Sequence, residues 1–285
     1  MQPAKFDEHL DKIEPFIKKS DTHMRDAIPD KTKLEITLRY LASGDSYASL
    51  EIPSREEWKQ IERGFRTKWN FPGCIGAIDG KHVNIIAPHN TSDYFNYKGC
   101  HSVVLLALVD DDYCFSYVNI GCNGRASDGG TFAKSSLGQA LHRRTLDLPE
   151  NAVIVGDASF PLKSYLVKPF AMTPTYKEKI YNYRLSRARR IVENAFGILV
   201  SRFRIFQNTI PLAPQKVDLI IMAACSLHNW LKKTSDMFIT QRCTDFEDTQ
   251  LGELVPGSWR HHMRRNLDNF ESNASSRRQG LDMTP

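Results

Sequence analysis

The sequence lacks a long hydrophobic run, and this absence argues against two classes of protein. No apolar stretch approaches the roughly 20 residues that a membrane helix needs. The first residues, MQPAKFDEHLDKIEPF, carry charges where a signal peptide has an apolar stretch. We therefore expect no membrane partner and no secretion.

Cysteine is also scarce, and its spacing argues against a disulfide framework. The six cysteines form no C-x-x-C pair and are too few to staple a chain of 285 residues. A zinc site from Cys100, His101, Cys114 and Cys122 is conceivable, but this spacing fits no zinc pattern and Cys114 lies in an apolar, strand-like run. Buried, reduced thiols are the favoured interpretation.

The remaining composition is that of an ordinary folded protein. Hydrophobic residues make up 41% of the chain and charged residues 25%, which argues against wholesale disorder. The formal charge of +5 is compatible with a nucleic-acid partner without requiring one, because the distribution of charge matters more than its sum. No internal repeat is present.

The first 70 residues have helical periodicity. A region over residues 1–50 is predicted to contain two helices, and residues 51–70 a connecting helix that begins at Ser54 and ends near Thr67. The SREE sequence there is typical of a capping box. The apolar positions at helical spacing are Phe6, Leu10, Ile13 and Ile17 in the first helix, Leu34, Leu38 and Leu41 in the second, and Trp58, Ile61 and Phe65 in the third.

From Phe71 the pattern changes to short β-branched and aromatic runs. CIGAID, HVNIIA, SVVLLALVD and CFSYVNIG predict strands, and a helix over 130–143 and the buried strand AVIVGD follow. Two long helices, RLSRARRIVENAFGILVSRFRIF and VDLIIMAACSLHNWLKK, complete an α/β domain over residues 71–233, a mixed sheet flanked by helices. Residues 234–285 are polar and aperiodic, which predicts a mobile tail.

Three carboxylates mark the ends or the middle of these elements. Asp79 closes CIGAID, Asp157 closes AVIVGD, and Glu193 lies within the long amphipathic helix. Hydrolysis of a phosphodiester needs an activated water and a stabilised leaving oxygen, and two Mg²⁺ ions held by a few carboxylates can supply both. The pattern therefore indicates a candidate metal site.

Each acid also has a structural interpretation. Asp79-Gly80 is a good two-residue hairpin turn, Asp157 can cap the segment after its strand, and Glu193 can pair with Arg189 or Arg190. By spacing alone these alternatives are preferred.

The sequence blocks that contain these acids add a resemblance to a known family. FPGCIGAIDGKHV, YFNYKG, LLALVDDDYCFSYVNIG, GRASDGGTF, VGDASFPL and NYRLSRARRIVENAFGIL occur in this order and resemble, block after block, the nuclease domain of Harbinger-type DDE transposases and the Harbinger-derived nuclease family. The resemblance spans about residues 45–232. It implies a ribonuclease-H-like fold in which Asp79, Asp157 and Glu193 are the catalytic, metal-holding triad.

The same resemblance implies a set of partners. The implied cofactor is a divalent metal, Mg²⁺ or Mn²⁺, the implied substrate class is DNA, and the implied location is the nucleus, with the cytoplasm as a second possibility. Family members commonly work with a Myb-like protein that supplies DNA recognition. The leading hypothesis is therefore a DNA endonuclease that catalyses phosphodiester hydrolysis or strand transfer.

One departure from the family favours other hypotheses. The block LEITLRYLASGDSYASL resembles the entry to a helix-turn-helix, yet SYASLE runs directly into IPSREEWKQIERGF, so the recognition helices are missing and the motif is truncated. Loss of those helices should remove base readout while leaving the catalytic block. An inactive DNA-binding or partner-binding protein is thus the second hypothesis, and a hydrolase of small phosphoesters is a third.

Basic residues cluster beside the third acid. Lys and Arg outnumber Asp and Glu between Lys177 and Arg204, which is a footprint for phosphate, although a solvated helix face has the same pattern. The DNA-contact residues predicted from this cluster are Lys177, Arg184, Arg187, Arg189 and Arg190. Four further residues are left out of the predicted site. For Asp128, a cap of the next helix by Ser127 or Asp128 is the favoured interpretation. At most one of Lys81 and His82 faces Asp79, because successive strand residues point to opposite faces. His228 is interpreted as a core histidine.

Overall fold

The computed structural model describes residues 7, 10–12, 14, 15, 17, 18, 30, 31, 53–88, 92–171, 174–248 and 253–260. The chain divides into two units, Met1–Ser46 and Tyr47–Pro285, close to the predicted boundary at residue 50. In the first unit, Leu10 and Ile17 have the predicted helical backbone. The stripe residues Phe6 and Ile13, the second predicted helix and the truncated helix-turn-helix lie outside the described residues.

The first element described in the second unit is helix α1, Arg55–Trp69, which confirms the predicted connecting helix. Ser54 caps it in the predicted capping box: its hydroxyl accepts from the Glu57 amide, and the Glu57 carboxylate accepts from the Ser54 amide at 2.7 Å. The apolar face of α1 buries Trp58 and Phe65 against the sheet.

The predicted mixed sheet is confirmed. Its strands are β1 (Cys74–Asn84), β2 (Ser102–Val109), β3 (Phe115–Asn123), β4 (Val153–Val155) and β5 (Leu166–Val167). They lie in the order β3-β2-β1-β4-β5, with β1, β2 and β3 antiparallel and with β4 and β5 parallel to β1. Every residue of β2 is buried, as expected for a strand covered on both faces.

One strand replaces the two that were predicted around Asp79. β1 runs without interruption through Asp79 and Gly80, which pair with Ala107 and Leu106 of β2. The hairpin interpretation of Asp79-Gly80 is therefore wrong. The strand that folds back on β1 is β2, so the chain reverses only after Asn84.

The helices between β3 and β4 also differ from the prediction of one helix over 130–143. The structure has α2 (Asp128–Lys134) and α3 (Ser136–Arg143). Ser135 separates them because its extended backbone ends α2, while its hydroxyl accepts from the Gly138 amide and caps α3.

The two long helices are confirmed as α4 (Tyr176–Arg202) and α5 (Pro214–Thr234). Leu185, Ala188, Val192 and Phe196 of α4 enter the core, and α5 packs on β3. His228 of α5 is fully buried and its Nε2 lies 2.9 Å from the carbonyl oxygen of Tyr113, which agrees with its interpretation as a core histidine. Among the described residues, no helix is both long and apolar enough to cross a membrane.

The mobile tail expected over residues 234–285 differs from the structure in its first part, while residues 249–252 and 261–285 lie outside the described residues. Residues 235–248 and 253–260 contain a 3-10 turn and the antiparallel strands β6 (Phe246–Asp248) and β7 (Glu253–Val255). Phe238 and Trp259 are buried against Ile198 of α4. The sequence shows no periodicity here because only a few widely spaced side chains anchor the segment.

Candidate active site

Strand register brings Asp79 and Asp157 beside each other where β4 ends. β1 and β4 are parallel neighbours with Ala77 opposite Val155, and each aspartate follows two residues later. The Oδ1 atom of Asp79 accepts a hydrogen bond from the Gly80 amide at 2.8 Å. The pKa of Asp79 is raised to about 7, first by burial and then by the charges of Asp157 and Asp128, against the lowering effect of that hydrogen bond.

Asp157 combines a structural role with its place beside Asp79. Its Oδ1 accepts hydrogen bonds from the amide and the hydroxyl of Ser159, so it orders the turn after β4 as the capping interpretation predicts. The side chain is half-buried, and its charge raises the pKa of both Asp79 and Asp128. Asp157 therefore orders the turn after β4 and at the same time acts electrostatically on Asp79 and Asp128.

Asp128 joins these two aspartates, although sequence reasoning set it aside. Ser127 caps α2 by accepting from the Gly130 amide at 3.2 Å, which leaves the Asp128 carboxylate available. That carboxylate lies over Gly80: a Cβ added there would be 1.9 Å from Asp128 Oδ1. Burial and then the charge of Asp157 raise the pKa of Asp128. In the sequence, Ser127 alone is a sufficient helix cap, and this left Asp128, directly after it, as a candidate for another role.

Glu193 takes a different partner. Its Oε1 lies 2.6 Å from Nη2 of Arg189, one of the two pairings predicted for it, and its Oε2 lies 4.0 Å from Nη2 of Arg260. Arg189 also lowers the pKa of Asp79, so this guanidinium interacts with both the aspartate cluster and the glutamate. The structure therefore groups Asp79, Asp128 and Asp157, while Glu193 is held in an ion pair at their side.

The donor set is suitable for a hard divalent cation. Asp79 and Asp128 are half-buried carboxylates whose pKa is raised by burial and then by the charge of neighbouring carboxylates, which is the situation that a bound cation relieves. Carboxylate oxygens are the ligands that Mg²⁺ and Mn²⁺ prefer. In the side-chain conformations of the described residues, no three His, Cys, Asp or Glu side chains form a ready-made metal-binding group. Asp157 is turned towards Ser159 and Glu193 towards Arg189.

The five predicted DNA-contact residues are divided over three parts of α4. Arg189 pairs with Glu193 and lowers the pKa of Asp79 through its charge. Lys177 and Arg184 are exposed and line a shallow apolar groove with Phe71 and Tyr181. Arg187 and Arg190 instead line an open cavity of about 360 Å³, to which residues 239–247 of the C-terminal segment (residues 235–248 and 253–260) also contribute.

Arg187 has an acidic partner in that segment. Its Nε lies 3.2 Å from Oε2 of Glu247 in β6, so its charge is balanced within the protein. The prediction that all five cations lie on the rim of the acidic site is thus met by a contact only for Arg189. The prediction that Lys177 and Arg184 bind DNA stays a prediction.

A buried polar network connects the C-terminal segment to the helix of Glu193. Asn194 is fully buried: its Oδ1 accepts from the amide of Asp245 and from Nε1 of Trp259, both at 2.9 Å. Asp245 in turn accepts from Nε and Nη2 of Arg260, whose guanidinium lies 4.3 Å from the centre of the Trp259 ring. Gly197 leaves the space for Trp259, because a Cβ there would be 2.2 Å from the indole.

The fold and this group of acids define a class of protein. The profile of the DDE superfamily endonuclease family matches residues 78–229, more than half of the chain. The chain belongs to this family. Its mixed five-stranded sheet flanked by helices is the ribonuclease-H-like arrangement that the resemblance implied.

Similarity to individual proteins gives the same assignment. The chain is 33% identical over 164 residues to the protein named "Putative nuclease HARBI1" of Rattus norvegicus, covering 56% of this chain and 46% of that protein. The Homo sapiens protein of that name is 32% identical over the same length and coverage. "Protein ALP1-like" of Arabidopsis thaliana is 28% identical over 213 residues, 70% of this chain and 52% of that protein.

These matches confirm the resemblance to Harbinger transposase-derived nucleases. The chain spans about half the length of the curated relatives it matches. No solved structure matches the chain at comparable significance.

Proposed function

We propose that this protein is a divalent-metal-dependent DNA endonuclease that hydrolyses or transfers phosphodiester bonds. The observation that carries the proposal is that the charges of Asp157 and Asp128 act on Asp79 in a DDE endonuclease domain, with Asp79 and Asp157 at matching positions after the paired residues of β1 and β4. Similarity to proteins named as nucleases supports the same reaction class.

The residues that would hold Mg²⁺ or Mn²⁺ are Asp79, Asp128 and Asp157, with Glu193 completing the set once its pairing with Arg189 opens. A bound metal pair would activate a water and stabilise the charge on the leaving oxygen. The protein's own contribution is to keep three carboxylates in place on rigid elements. Arg189 adds a cation at the edge of the cluster, where it can contact a substrate phosphate.

DNA is the proposed substrate class because cations are exposed on α4, the helix that carries Glu193. Lys177 and Arg184 carry no acidic partner among the described residues. Contacts of this kind bind the backbone without reading sequence, and they weaken steeply as salt rises. Recognition of a target sequence is assigned to a Myb-like partner protein, and the protein is expected in the nucleus.

A second candidate, a DNA-binding or partner-binding protein without catalysis, is favoured by one observation. Glu193 forms its ion pair with Arg189 instead of facing the aspartates. If that pair is permanent, the third member of the predicted triad cannot reach a metal.

Nicking of supercoiled plasmid distinguishes the two candidates. Purified protein should nick DNA in Mg²⁺ or Mn²⁺ and not in EDTA, and Asp157→Asn or Asp128→Asn should reduce the rate at least about 100-fold. The matched control is Asp147→Asn, an exposed acid that pairs with Arg55 at 2.6 Å and should nick normally. Salt-sensitive DNA binding without metal-dependent nicking would favour the second candidate.

A further inference from the structure

An exposed aromatic group lies on the loop between β1 and β2. The aromatic loop, residues 94–101, presents Tyr97 and Phe95 with 82% and 48% of their surface accessible. Tyr97 makes a T-shaped contact with His82 of β1 at 5.6 Å between ring centres, and Phe95 makes one with His101 at 5.3 Å. Large rings held in the open are costly to maintain and usually mark a contact surface.

The aromatic loop is rigidly built. Asn96 is almost fully buried, and its Oδ1 accepts from the amides of Lys98 and Cys100 at 2.9 and 3.2 Å. Its Nδ2 donates to the Ser102 hydroxyl at 2.8 Å, which also lies 2.8 Å from Nδ1 of His82. The loop is thus pinned to β1 and β2, so binding a ligand on Tyr97 requires little ordering.

Positive charge lies beside these rings. Lys98 is exposed, and its Nζ lies 5.5 Å from the centre of the Tyr97 ring. An exposed cation next to exposed aromatic rings fits a ligand that offers both phosphates and flat apolar rings.

The aromatic loop lies on the same face of β1 as Asp128. Gly80 and His82 are alternate residues of β1, so they lie on one face about 7 Å apart, while Asp79 and Lys81 point to the opposite face. The Asp128 carboxylate covers Gly80, while Tyr97 contacts His82. A nucleic acid that contacts the Asp128 face of β1 would therefore also meet the aromatic loop.

We propose that the aromatic loop binds unpaired DNA bases on the Asp128 face of β1, with Tyr97 stacking on a base and Lys98 contacting the adjacent phosphate. This inference rests on the proposed function and specifies its substrate as DNA that is single-stranded or opened next to the cleavage point. A paired base cannot stack on Tyr97 because both of its faces are covered in the duplex.

Binding in EDTA tests the inference without catalysis. The probes are a blunt DNA duplex and the same duplex with a single-stranded extension of about six nucleotides, a length within the site sizes of single-strand binders. A 2-aminopurine placed in the extension reports stacking through its fluorescence. Because base stacking on an aromatic ring is worth about five-fold or more in affinity, the wild type should prefer the extended probe by at least that factor.

Variants at two positions separate stacking from charge. Tyr97→Ala should abolish the preference for the extended probe while changing blunt-duplex binding less than about two-fold, and the matched control Tyr97→Phe should keep it. Lys98→Ala should weaken both probes and flatten the salt dependence by about one phosphate contact. Unfolding curves of each variant verify that the loop's substitution leaves the fold intact.

Two outcomes would overturn the inference. One is equal affinity of the wild type for both probes, in which case the exposed rings of the aromatic loop would be assigned to a protein partner. The other is an equal loss on both probes for Tyr97→Ala. The nicking assay is independent of this result. A preference for extended DNA without metal-dependent nicking would support the assignment of the aromatic loop and reject the proposed function. Metal-dependent nicking without the preference would support the proposed function and reject the assignment of the loop.

Discussion

The carboxylate of Asp128 lies directly against the backbone of Gly80, so that a Cβ on residue 80 would be 1.9 Å from Oδ1. Gly80 sits within β1 between Asp79 and Lys81, and it has no positive φ that would itself demand glycine. The glycine therefore leaves room for Asp128 against β1, from where its charge acts on Asp79. This contact is between a strand and the first turn of α2, two elements far apart in the sequence.

Gly80→Ala should displace Asp128 and leave most of the fold intact. We expect loss of metal-dependent nicking by at least about ten-fold with a change in unfolding free energy of roughly 1 kcal/mol, since the clash is with a side chain that can rotate. In a double-mutant cycle with Asp128→Asn, the two effects should not add. Additive losses would show that Gly80 acts on another group.

The raised pKa of Asp79 predicts how the metal-free protein responds to pH. The pKa is 3.8 for the unfolded reference and about 7 in the fold, so the native state binds the extra proton in between. Stability should therefore fall as pH rises from about 4 to about 7 and stay level above it. Asn at this position does not titrate, so Asp79→Asn should melt higher than wild type at pH 8 and lose most of this advantage near pH 5.

Differential scanning calorimetry in EDTA measures this difference between Asp79→Asn and the wild type. Added Mg²⁺ should stabilise the wild type at pH 8 and have little effect on the variant, because the charged carboxylate is what the cation binds. A difference in melting temperature that is constant with pH would contradict the assignment of a buried, charged Asp79.

Arg189→Gln should tighten metal binding. Arg189 pairs with Glu193 and places a positive charge near Asp79, so its removal frees the glutamate and lowers the repulsion of a cation. One unit charge at this range corresponds to about 1 kcal/mol, or roughly five-fold in affinity. Mn²⁺ titration calorimetry without DNA gives the number.

The matched control for Arg189 is Arg184→Gln, an exposed substitution on another part of the same helix. It removes an equal charge and should change Mn²⁺ affinity less than about two-fold, because exposed distant charges are screened. If both variants changed Mn²⁺ affinity equally, the effect of Arg189→Gln would come from the loss of one positive charge and not from the release of Glu193.

Asn194→Ala should detach the C-terminal segment from α4. The substitution leaves the Asp245 backbone and Trp259 Nε1 without their buried partner, which costs about 2–4 kcal/mol in unfolding free energy. Denaturant unfolding and limited proteolysis measure the two consequences, and residues 235–260 should be cleaved first. Asn182→Ala, which loses only exposed bonds to the backbone of Phe170, should cost less than about 1 kcal/mol.

The accuracy of the sequence-based predictions varied with the range of the interaction that fixes each feature. The capping box at Ser54, the buried strand β2 and the long helix α4 depend on neighbouring residues, and all three were correctly predicted. The break at Ser135 is also local, but one serine between two helical stretches gives too weak a pattern to be noticed. The C-terminal segment depends on Phe238, Asp245 and Trp259 meeting α4, and no periodicity in the sequence announces this.

The candidate site shows the same division. By itself, the sequence determined the class of protein, because ordered blocks around Asp79, Asp157 and Glu193 are a local record of the family. Only the tertiary structure decided that β1 continues through Gly80, that Asp128 joins the aspartates and that Glu193 pairs with Arg189. Burial and charge at a point are sums over residues from separate elements, so which carboxylates share one environment is fixed by packing and register and not by any single stretch of chain.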